Sequence, residues 1–155
     1  MANKTDRRQL VFKSLDEVVL EAERLAQENV RTTGQHSFGQ ILEHLARTHD
    51  MASGKTENPR FPWFMRLLMP LMKNSILNSD VKPGFNLPKK AQQYFWPEND
   101  VDVAQALAHL KASVEHYNEK GPLPVHPVFG KATREQIDRL NCSHCAMHLS
   151  FVHPE

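Results

Sequence analysis

The chain has 155 residues and a mass of 17.8 kDa, which suits about one domain and is long enough to bury a sizeable core. Hydrophobic residues make up 40% and charged residues 24%, a balance typical of globular rather than disordered proteins. With 19 basic and 18 acidic residues the net charge is +1, so the sequence lacks the electrostatic footprint of a general nucleic-acid binder. Nine histidines are many for this length and direct attention to metal or proton chemistry.

The sequence gives no sign of secretion or of a membrane span. Two cysteines, Cys142 and Cys145, are too few for the disulfide framework of a small secreted protein. The polar start at residues 1–8 is not followed by a long apolar run, as a secretory signal would be. The most apolar stretch, 61–77, is interrupted by polar residues and a proline. We therefore expect a cytoplasmic protein without a membrane span.

Helix signals occur along the whole chain, whereas strand signals are weak. Capping boxes at Ser14, Ser37 and Thr133 each precede apolar residues at helical spacing. Helices are predicted at 14–29, from 37 to about 51–54, at 101–118 and at 133–151. The segment 61–77 is also predicted to be helical, but divided or kinked by Pro70. A long connection follows at 80–100, with one helical turn at 89–94, and a proline-rich connector spans 121–130.

Four main helices and a long connection predict an all-α protein, an antiparallel four-helix bundle with a long crossover and an extra broken helix. We expect one domain over residues 1–155.

The last predicted helix carries the sharpest functional signal. Ile137, Leu140, His144, His148 and Phe151 recur at helical spacing, so they share one face. That face should point towards the core, where a lone imidazole needs a partner. Two histidines one turn apart on a helix can bind one metal ion. The spacing therefore makes His144 and His148 candidate metal ligands, with chance spacing of two core histidines as the alternative.

A stable site needs a third ligand, and the second predicted helix offers two candidates. Periodicity favours His49 as the third ligand, because His49 lies nearer the centre of the apolar stripe formed by Phe38, Leu42 and Leu45. His44 lies at the edge of the apolar face, from where it could still point into a cavity between helices. The spacing of residues along the helix therefore does not decide between His44 and His49.

Other residues could join the site or have ordinary structural roles. Gln40, one turn before His44, could hydrogen-bond a water on the metal, but its capping role is the better interpretation. His126 could line the pocket, although a solvent-exposed loop position is expected. Cys142 and Cys145 lie within a helix, without the strand-to-helix context of a redox pair. Cys145 is expected to pack in the core, with a pocket or ligand role as the alternative.

The remaining histidines are expected to be peripheral. His109 and His116, in the predicted helix 101–118, should be solvated. His36, just before Ser37, should lie in a loop, and His153, near the chain end, should be frayed. Four further residues could cover the pocket, namely Trp63, Arg66, Phe85 and Trp96. The guanidinium group of Arg66 could then bind an anionic substrate.

Three sequence segments resemble the DinB-like superfamily, and more narrowly a branch of it known only as a domain of unknown function. They are Ser37-Phe-Gly-Gln-Ile-Leu-Glu-His44-Leu-Ala, His126-Pro-Val-Phe-Gly130 and Cys142-Ser-His144-Cys-Ala-Met-His148-Leu-Ser-Phe. The resemblance spans nearly the entire chain. It implies a four-helix bundle with a divalent metal on three histidines, one from the second helix and two from the last. Carried over to this sequence, the ligands are His44, His144 and His148, so the resemblance selects His44 over His49.

The resemblance also implies a function. Characterised relatives include transferases and isomerases that use low-molecular-weight thiols, and metal-dependent hydrolases; many members are homodimers. A divalent metal held by three neutral nitrogens, with one open coordination position, would lower the pKa of a water or thiol that binds there. We therefore expect a thiol S-transferase or hydrolase acting on a small molecule, with zinc as the first choice of metal and nickel or iron also suited to imidazole. No catalytic side chain beyond the ligands is identified.

Two alternatives remain. The first is a non-catalytic metal- or ligand-binding helical bundle. The second is docking of a membrane or a partner through the apolar segment 61–72.

Overall fold

A computed structural model describes residues 6–58 and 60–155 of the chain. Within these residues the fold is mostly helical, as predicted, with six helices and one antiparallel pair of short strands. The helices are α1 (Leu15–Ala26), α2 (Phe38–Ala52), α3 (Trp63–Leu77), α4 (Lys89–Phe95), α5 (Val103–Lys120) and α6 (Arg134–Leu149). The strands are β1 (Val30–Thr32) and β2 (Val152–Pro154).

Local side-chain caps explain where most of the long helices begin. The two predicted capping boxes at the starts of α2 and α6 are both present, so each satisfies two backbone donors reciprocally. At the start of α1 only half of the predicted box forms. The Ser14 hydroxyl accepts from the backbone N–H of Glu17, but the Glu17 carboxylate accepts from the backbone of Lys13 instead.

The two short strands were not predicted, and they shorten two helices. The strand β1 pairs antiparallel with β2, with Val30 opposite Pro154 and Thr32 opposite Val152. As a result α1 ends at Ala26 rather than near 29, and α6 ends at Leu149 rather than near 151. Three-residue strands are too short to show the alternation by which a strand is recognised in a sequence.

Four helices supply most of the core and bring α2 beside α6. The helix α2 packs most extensively on α5, α1 packs on α5 and α6, and α6 also contacts α2 and α3. Large side chains from these helices are excluded from solvent, among them Leu25, Leu42, Leu45, Leu110, Ile137 and Leu149. Burial of these side chains is the main force that fixes the rotation of each helix about its axis.

The end of the long connection is held against the N-terminal turn of α2. A Cβ atom on Gly39 would lie 1.8 Å from the carbonyl oxygen of Val101, so only glycine permits this close approach. The Gln40 amide also faces the carbonyl oxygens of Pro97 and Asn99, each at 3.4 Å. These contacts place residues 95–101 over the start of α2, and this segment becomes one wall of the site described below.

The helix α3 is continuous from Trp63 to Leu77, so Pro70 does not divide it, and the kink that was the other expectation stays a prediction. Pro70 lies on the exposed side of the helix, where the carbonyl group that loses its partner can bind water. Met65, Met69 and Leu77 are buried and anchor α3 to the rest of the fold. Within the described residues, no helix combines the length and apolarity that crossing a bilayer requires.

Candidate metal centre

Three histidines from two helices converge at one point between α2 and α6. His44 comes from the middle of α2, and His144 and His148 come from successive turns of α6. The Nε2 atom of His44 lies 3.3 Å from that of His144 and 3.1 Å from that of His148. The two α6 nitrogens are 3.0 Å apart. The three ring nitrogens therefore form a nearly equilateral triangle, which we call the histidine cluster.

The ring of His44 is held in one tautomer by the backbone. Its Nδ1 lies 3.2 Å from the carbonyl oxygen of Phe95, the last residue of α4. A carbonyl oxygen can only accept, so Nδ1 must carry the proton and donate. The Nε2 atom of neutral His44 then presents a lone pair to the other two histidines. A backbone acceptor on the far nitrogen is the usual support for a histidine that binds a metal.

The histidine cluster cannot satisfy itself by hydrogen bonds. Each Nε2 atom of a neutral imidazole is either a donor or an acceptor. Among three such atoms at least two are of the same kind, so at least one edge of the triangle joins two donors or two acceptors. Two lone pairs that face each other, or two N–H groups that face each other, cost stability when they are shielded from water. A cation at the centre would remove this conflict by accepting all three lone pairs.

The surroundings keep the three imidazoles neutral. His44 is 3% exposed, and His144 and His148 are half-buried. Burial is the main cause that lowers the pKa of His144 to about 4 and the pKa values of His44 and His148 well below the ordinary value. The neighbouring imidazoles lower the pKa values of His44 and His148 further, since two positive rings would repel each other. At neutral pH each ring therefore carries one nitrogen lone pair.

The dimensions of the cluster fit a divalent metal. Zinc–nitrogen bonds of about 2.0–2.1 Å separate two ligands of a tetrahedral site by about 3.3 Å. The observed separations of the Nε2 atoms are 3.0–3.3 Å. These three close histidines could hold a metal ion. Imidazole nitrogen suits zinc, nickel and iron alike, so the ligand set does not select among them.

Trp96 forms one wall of the cluster. Its ring lies flat on the ring of His44, with centroids 3.8 Å apart and an interplanar angle of 2°. On its other face it stacks with His36 at 3.7 Å, and its edge meets His148 at 5.3 Å. Of the four residues expected to cover a pocket, Trp96 is the one that the structure brings to the histidines.

The other three expected cover residues lie elsewhere. Trp63 and Phe85 are 77% and 67% exposed. Arg66 is exposed and borders a small crevice beside Pro127 and Val128. The structure thus gives no support to an anion contact by this guanidinium at the cluster.

His49, the candidate favoured by periodicity, has a separate set of contacts. It is 1% exposed, and its Nδ1 donates to the carbonyl oxygen of Leu45 at 2.5 Å. Its Nε2 therefore has a free lone pair, which faces the Cys145 thiol at 3.8 Å. Burial lowers the pKa of His49 to about 4 and raises that of Cys145 well above its ordinary value. Both groups are neutral, and the thiol donates weakly to the imidazole within the core.

Both cysteines are buried and free, which agrees with the expected packing role of Cys145. Burial also raises the pKa of Cys142 to about 11, so neither thiol is a ready nucleophile at neutral pH. Gln40 likewise has the capping role that was expected. Its side-chain oxygen accepts from the backbone of Ser37, and its amide nitrogen faces the 97–99 carbonyl groups.

The expectation that His126 is exposed was wrong. It is 5% exposed, and its Nδ1 accepts from the backbone N–H groups of Val128 and Phe129 at 3.1 and 3.3 Å. The imidazole thus caps a tight turn closed by backbone hydrogen bonds between His126 and Gly130. The sequence His-Pro has no local pattern that predicts such a cap.

His109 was expected to be solvated but links α5 to α2. Its Nδ1 lies 2.8 Å from the Glu43 carboxylate and its Nε2 lies 2.7 Å from the Asp50 carboxylate. Carboxylates only accept, so both ring nitrogens donate and the ring is an imidazolium. The hydrogen bond to Asp50 is the largest of the causes that raise the pKa of His109. The carboxylate partners come from another helix, which sequence spacing does not reveal.

The remaining histidines are partly exposed. His153 was expected to be frayed, but it lies in β2 opposite Arg31. His36 lies in the loop between β1 and α2, as expected, and reaches the cluster only through its stack on Trp96. His116 is half-buried on α5.

Together the fold and the cluster define a mostly helical protein with three histidines that could hold a metal ion. The chain belongs to the family DUF1569, described as a protein of unknown function, whose sequence model matches residues 4–155. No curated protein and no solved structure matches it. The predicted membership in a domain family of unknown function is thereby confirmed, and the DinB-like relationship stays a prediction.

Proposed function

We propose that this protein is a divalent-metal-dependent enzyme that acts on a small molecule, with His44, His144 and His148 as the metal ligands. The observation that carries the proposal is the triangle of three Nε2 atoms at 3.0–3.3 Å. Neutral imidazoles gathered this closely cannot satisfy one another, whereas a cation satisfies all three.

The DinB-like relationship is part of the same proposal. The helices α1, α2, α5 and α6 would form the antiparallel four-helix bundle, with α3 and α4 in the long crossover between α2 and α5. The order of the ligands supports this interpretation, since one histidine comes from the second helix and two come from the last. The same order is implied by the sequence resemblance.

Thiol S-transfer is the reaction that the cluster favours. A divalent metal in the site would lower the pKa of a thiol or water that it binds. Among the residues that the structure describes, the cluster contains no carboxylate to serve as a general base. Hydrolysis depends more on such a base than thiol transfer does, because a thiol is the more acidic of the two nucleophiles. We therefore place a low-molecular-weight thiol before water as the group activated here, and hydrolysis second.

The residues around the cluster fix the orientation of the His44 ring and shield one side of the ring from water. The Phe95 carbonyl group fixes the His44 ring, and Trp96 covers one face of it. His144 and His148 keep partial exposure as whole residues. A catalytic metal needs an open coordination position, and we expect substrate to approach it from the partly exposed side of α6.

The second candidate is a non-catalytic metal- or ligand-binding helical bundle. The position of His44, which is 3% exposed between α2 and α6, favours it, since a metal bound there would join two packed helices. Under this hypothesis the metal would stabilise the packing of α2 on α6.

The first test is the metal content of untagged protein, measured by plasma mass spectrometry. We expect near-stoichiometric metal that is lost in His44→Ala and His144→Ala and kept in His49→Ala. His49 is the matched control because it lies on the same helix and is equally buried. No metal in the unmodified protein, even after loading with zinc, nickel or iron, would contradict the proposal.

The second test separates the enzyme from the non-catalytic candidate. Protein loaded with cobalt is titrated with a low-molecular-weight thiol, and the absorption spectrum of the metal is followed. A saturable change, together with turnover of thiol and an electrophile in a screen, supports the S-transferase. Tight metal whose removal unfolds the chain, with no response to any thiol, supports the structural alternative.

A further inference from the structure

Three flat rings lie one on another beside the histidine cluster. The indole of Trp96 is nearly parallel to the ring of His36, at 3.7 Å and 14°, and to the ring of His44, at 3.8 Å and 2°. Two imidazoles this close and parallel to one indole would overlap if they shared a face of it, so they lie on opposite faces. We call His36, Trp96 and His44 the ring stack. Because the indole lies between His36 and the cluster, His36 is not itself a ligand.

The indole belongs to a connection rather than to the core face of a helix. Trp96 comes directly after α4, has an extended backbone at φ −110° and ψ 130°, and is half-buried. A partly exposed aromatic side chain can rotate about two bonds, so the contacts on its two faces decide where it lies. Without the His36 ring, the far face of the indole would lose its stacking partner.

The His36 ring is carried by a short loop that is fixed at both ends. At one end Thr33 donates its backbone N–H to the carbonyl oxygen of the residue before β2, at 3.0 Å. At the other end Ser37 caps α2 and donates its hydroxyl to the Asp100 carboxylate. Among the residues that the structure describes, the His36 ring has no hydrogen-bond partner, so its stack on Trp96 is the interaction that orients it. The loop thus holds a flat ring against the indole.

The position of the indole matters to two of the three proposed ligands. It covers one face of His44, and its edge meets the ring of His148 at 5.3 Å. A metal ion on Nε2 of His44 would draw electron density from that imidazole, and the electron-rich face of an indole is a favourable neighbour for a ring that gains positive charge. A shift of the indole would therefore change both the orientation of His44 and its affinity for the ion.

We propose that His36 is a positioning residue for the metal centre, which holds the indole of Trp96 flat against His44 from the opposite side. This inference rests on the proposed function in one respect, the binding of a metal ion by the histidine cluster. The ring stack itself consists of contacts of the chain alone, so it can be tested separately.

The first experiment measures how firmly the indole is held when no metal is added. In a Trp63→Phe background Trp96 is the single tryptophan, and quenching of its fluorescence by acrylamide reports its exposure. His36→Ala should raise the quenching constant about twofold or more, and His36→Phe, which keeps a flat ring, should restore it. His116→Ala is the matched control, because it removes another half-buried imidazole, from α5, and should change nothing.

The second experiment measures the affinity for zinc by competition with a chelator. His36→Ala should weaken the affinity about threefold to tenfold, and His36→Phe should keep it within about twofold of the unmodified chain. In a Trp96→Leu background His36→Ala should have no further effect, since His36 acts through the indole. Circular dichroism verifies that each variant is folded.

The results that overturn the inference differ from those that overturn the proposed function. Equal quenching of Trp96 in the unmodified chain and in His36→Ala would show that His36 does not hold the indole. Equal zinc affinity of these two proteins, or an equal effect of His36→Ala with and without the Trp96 side chain, would also overturn the inference and leave the proposed metal site intact. An unmodified chain that binds no metal would overturn both.

Discussion

Removal of one imidazole from the histidine cluster should remove most of the stabilisation that a bound metal gives the protein. The cluster exists only in the folded chain, since His44 is 100 and 104 residues away in sequence from its two partners. A metal held there binds the native state far better than the unfolded state, so it raises the free energy of unfolding. The substitution His148→Gln keeps a polar side chain but removes one of the three nitrogens.

The size of the effect follows from this linkage. At a free metal concentration one hundred times the Kd, the native state gains about 2.7 kcal/mol. For a chain of this length that corresponds to a rise in Tm of about 5–10 °C. If loss of one ligand weakens binding about 100-fold, the gain at the same metal concentration falls to about 0.4 kcal/mol. The metal-dependent rise in Tm should then shrink to about 1 °C.

His49 supplies the control. Its ring donates to Leu45 and accepts from Cys145 in the core, so His49→Asn should lower the free energy of unfolding by about 1–3 kcal/mol without metal. The variant should nevertheless keep the full increment on adding metal, because its ring is not part of the triangle.

The assay is thermal unfolding by calorimetry of chelator-treated protein, with and without added zinc, for the unmodified chain and both variants. The quantity compared is the increment in Tm, so the different baseline stabilities do not matter. A full increment in His148→Gln would refute the assignment of this residue as a ligand. Loss of the increment in His49→Asn would show that periodicity was the better guide to the third ligand.

The remaining predictions concern other contacts of the fold and site. Gly39→Ala should cost about 3 kcal/mol or more in urea unfolding because of its clash with the Val101 carbonyl group, whereas Gly34→Ala, with a 3.5 Å contact, should be nearly neutral. Trp96→Leu should weaken metal affinity about tenfold in a competition titration; unchanged affinity would show that its stack does not support the cluster. His109→Gln should lose most stability below pH 6.5 and progressively less as the pH rises through the raised pKa of His109; a loss independent of pH in denaturant titrations would contradict the imidazolium.

The sequence by itself determined the local features of this protein. Capping boxes act within four residues, so they located the starts of α2 and α6 before any packing was known. The spacing of His144 and His148 put both on one face of α6, because a helix repeats every 3.6 residues. Their meeting at Nε2 atoms 3.0 Å apart confirms that they share this face.

The third member of the cluster was decided by tertiary structure. His44 and His49 are five residues apart, which is about 140° around a helix. The apolar stripe is wide enough to bury both of them. Which one faces α6 at the cluster depends on the rotation of α2 about its axis, and that rotation is set by packing on α5 and α6. The resemblance selected His44, and the structure groups His44 with the other two histidines.

Other features had no local signal at all. The pairing of β1 with β2 and the carboxylates around His109 each join distant residues through contacts that only the fold brings together. Trp96 reaches His44 because Gly39 lets the 95–101 segment lie directly on α2. Helix caps, which join residues a few positions apart, can be predicted from the local sequence. Contacts between residues 50 or more positions apart depend on how the buried surfaces pack together, and that packing involves the whole chain.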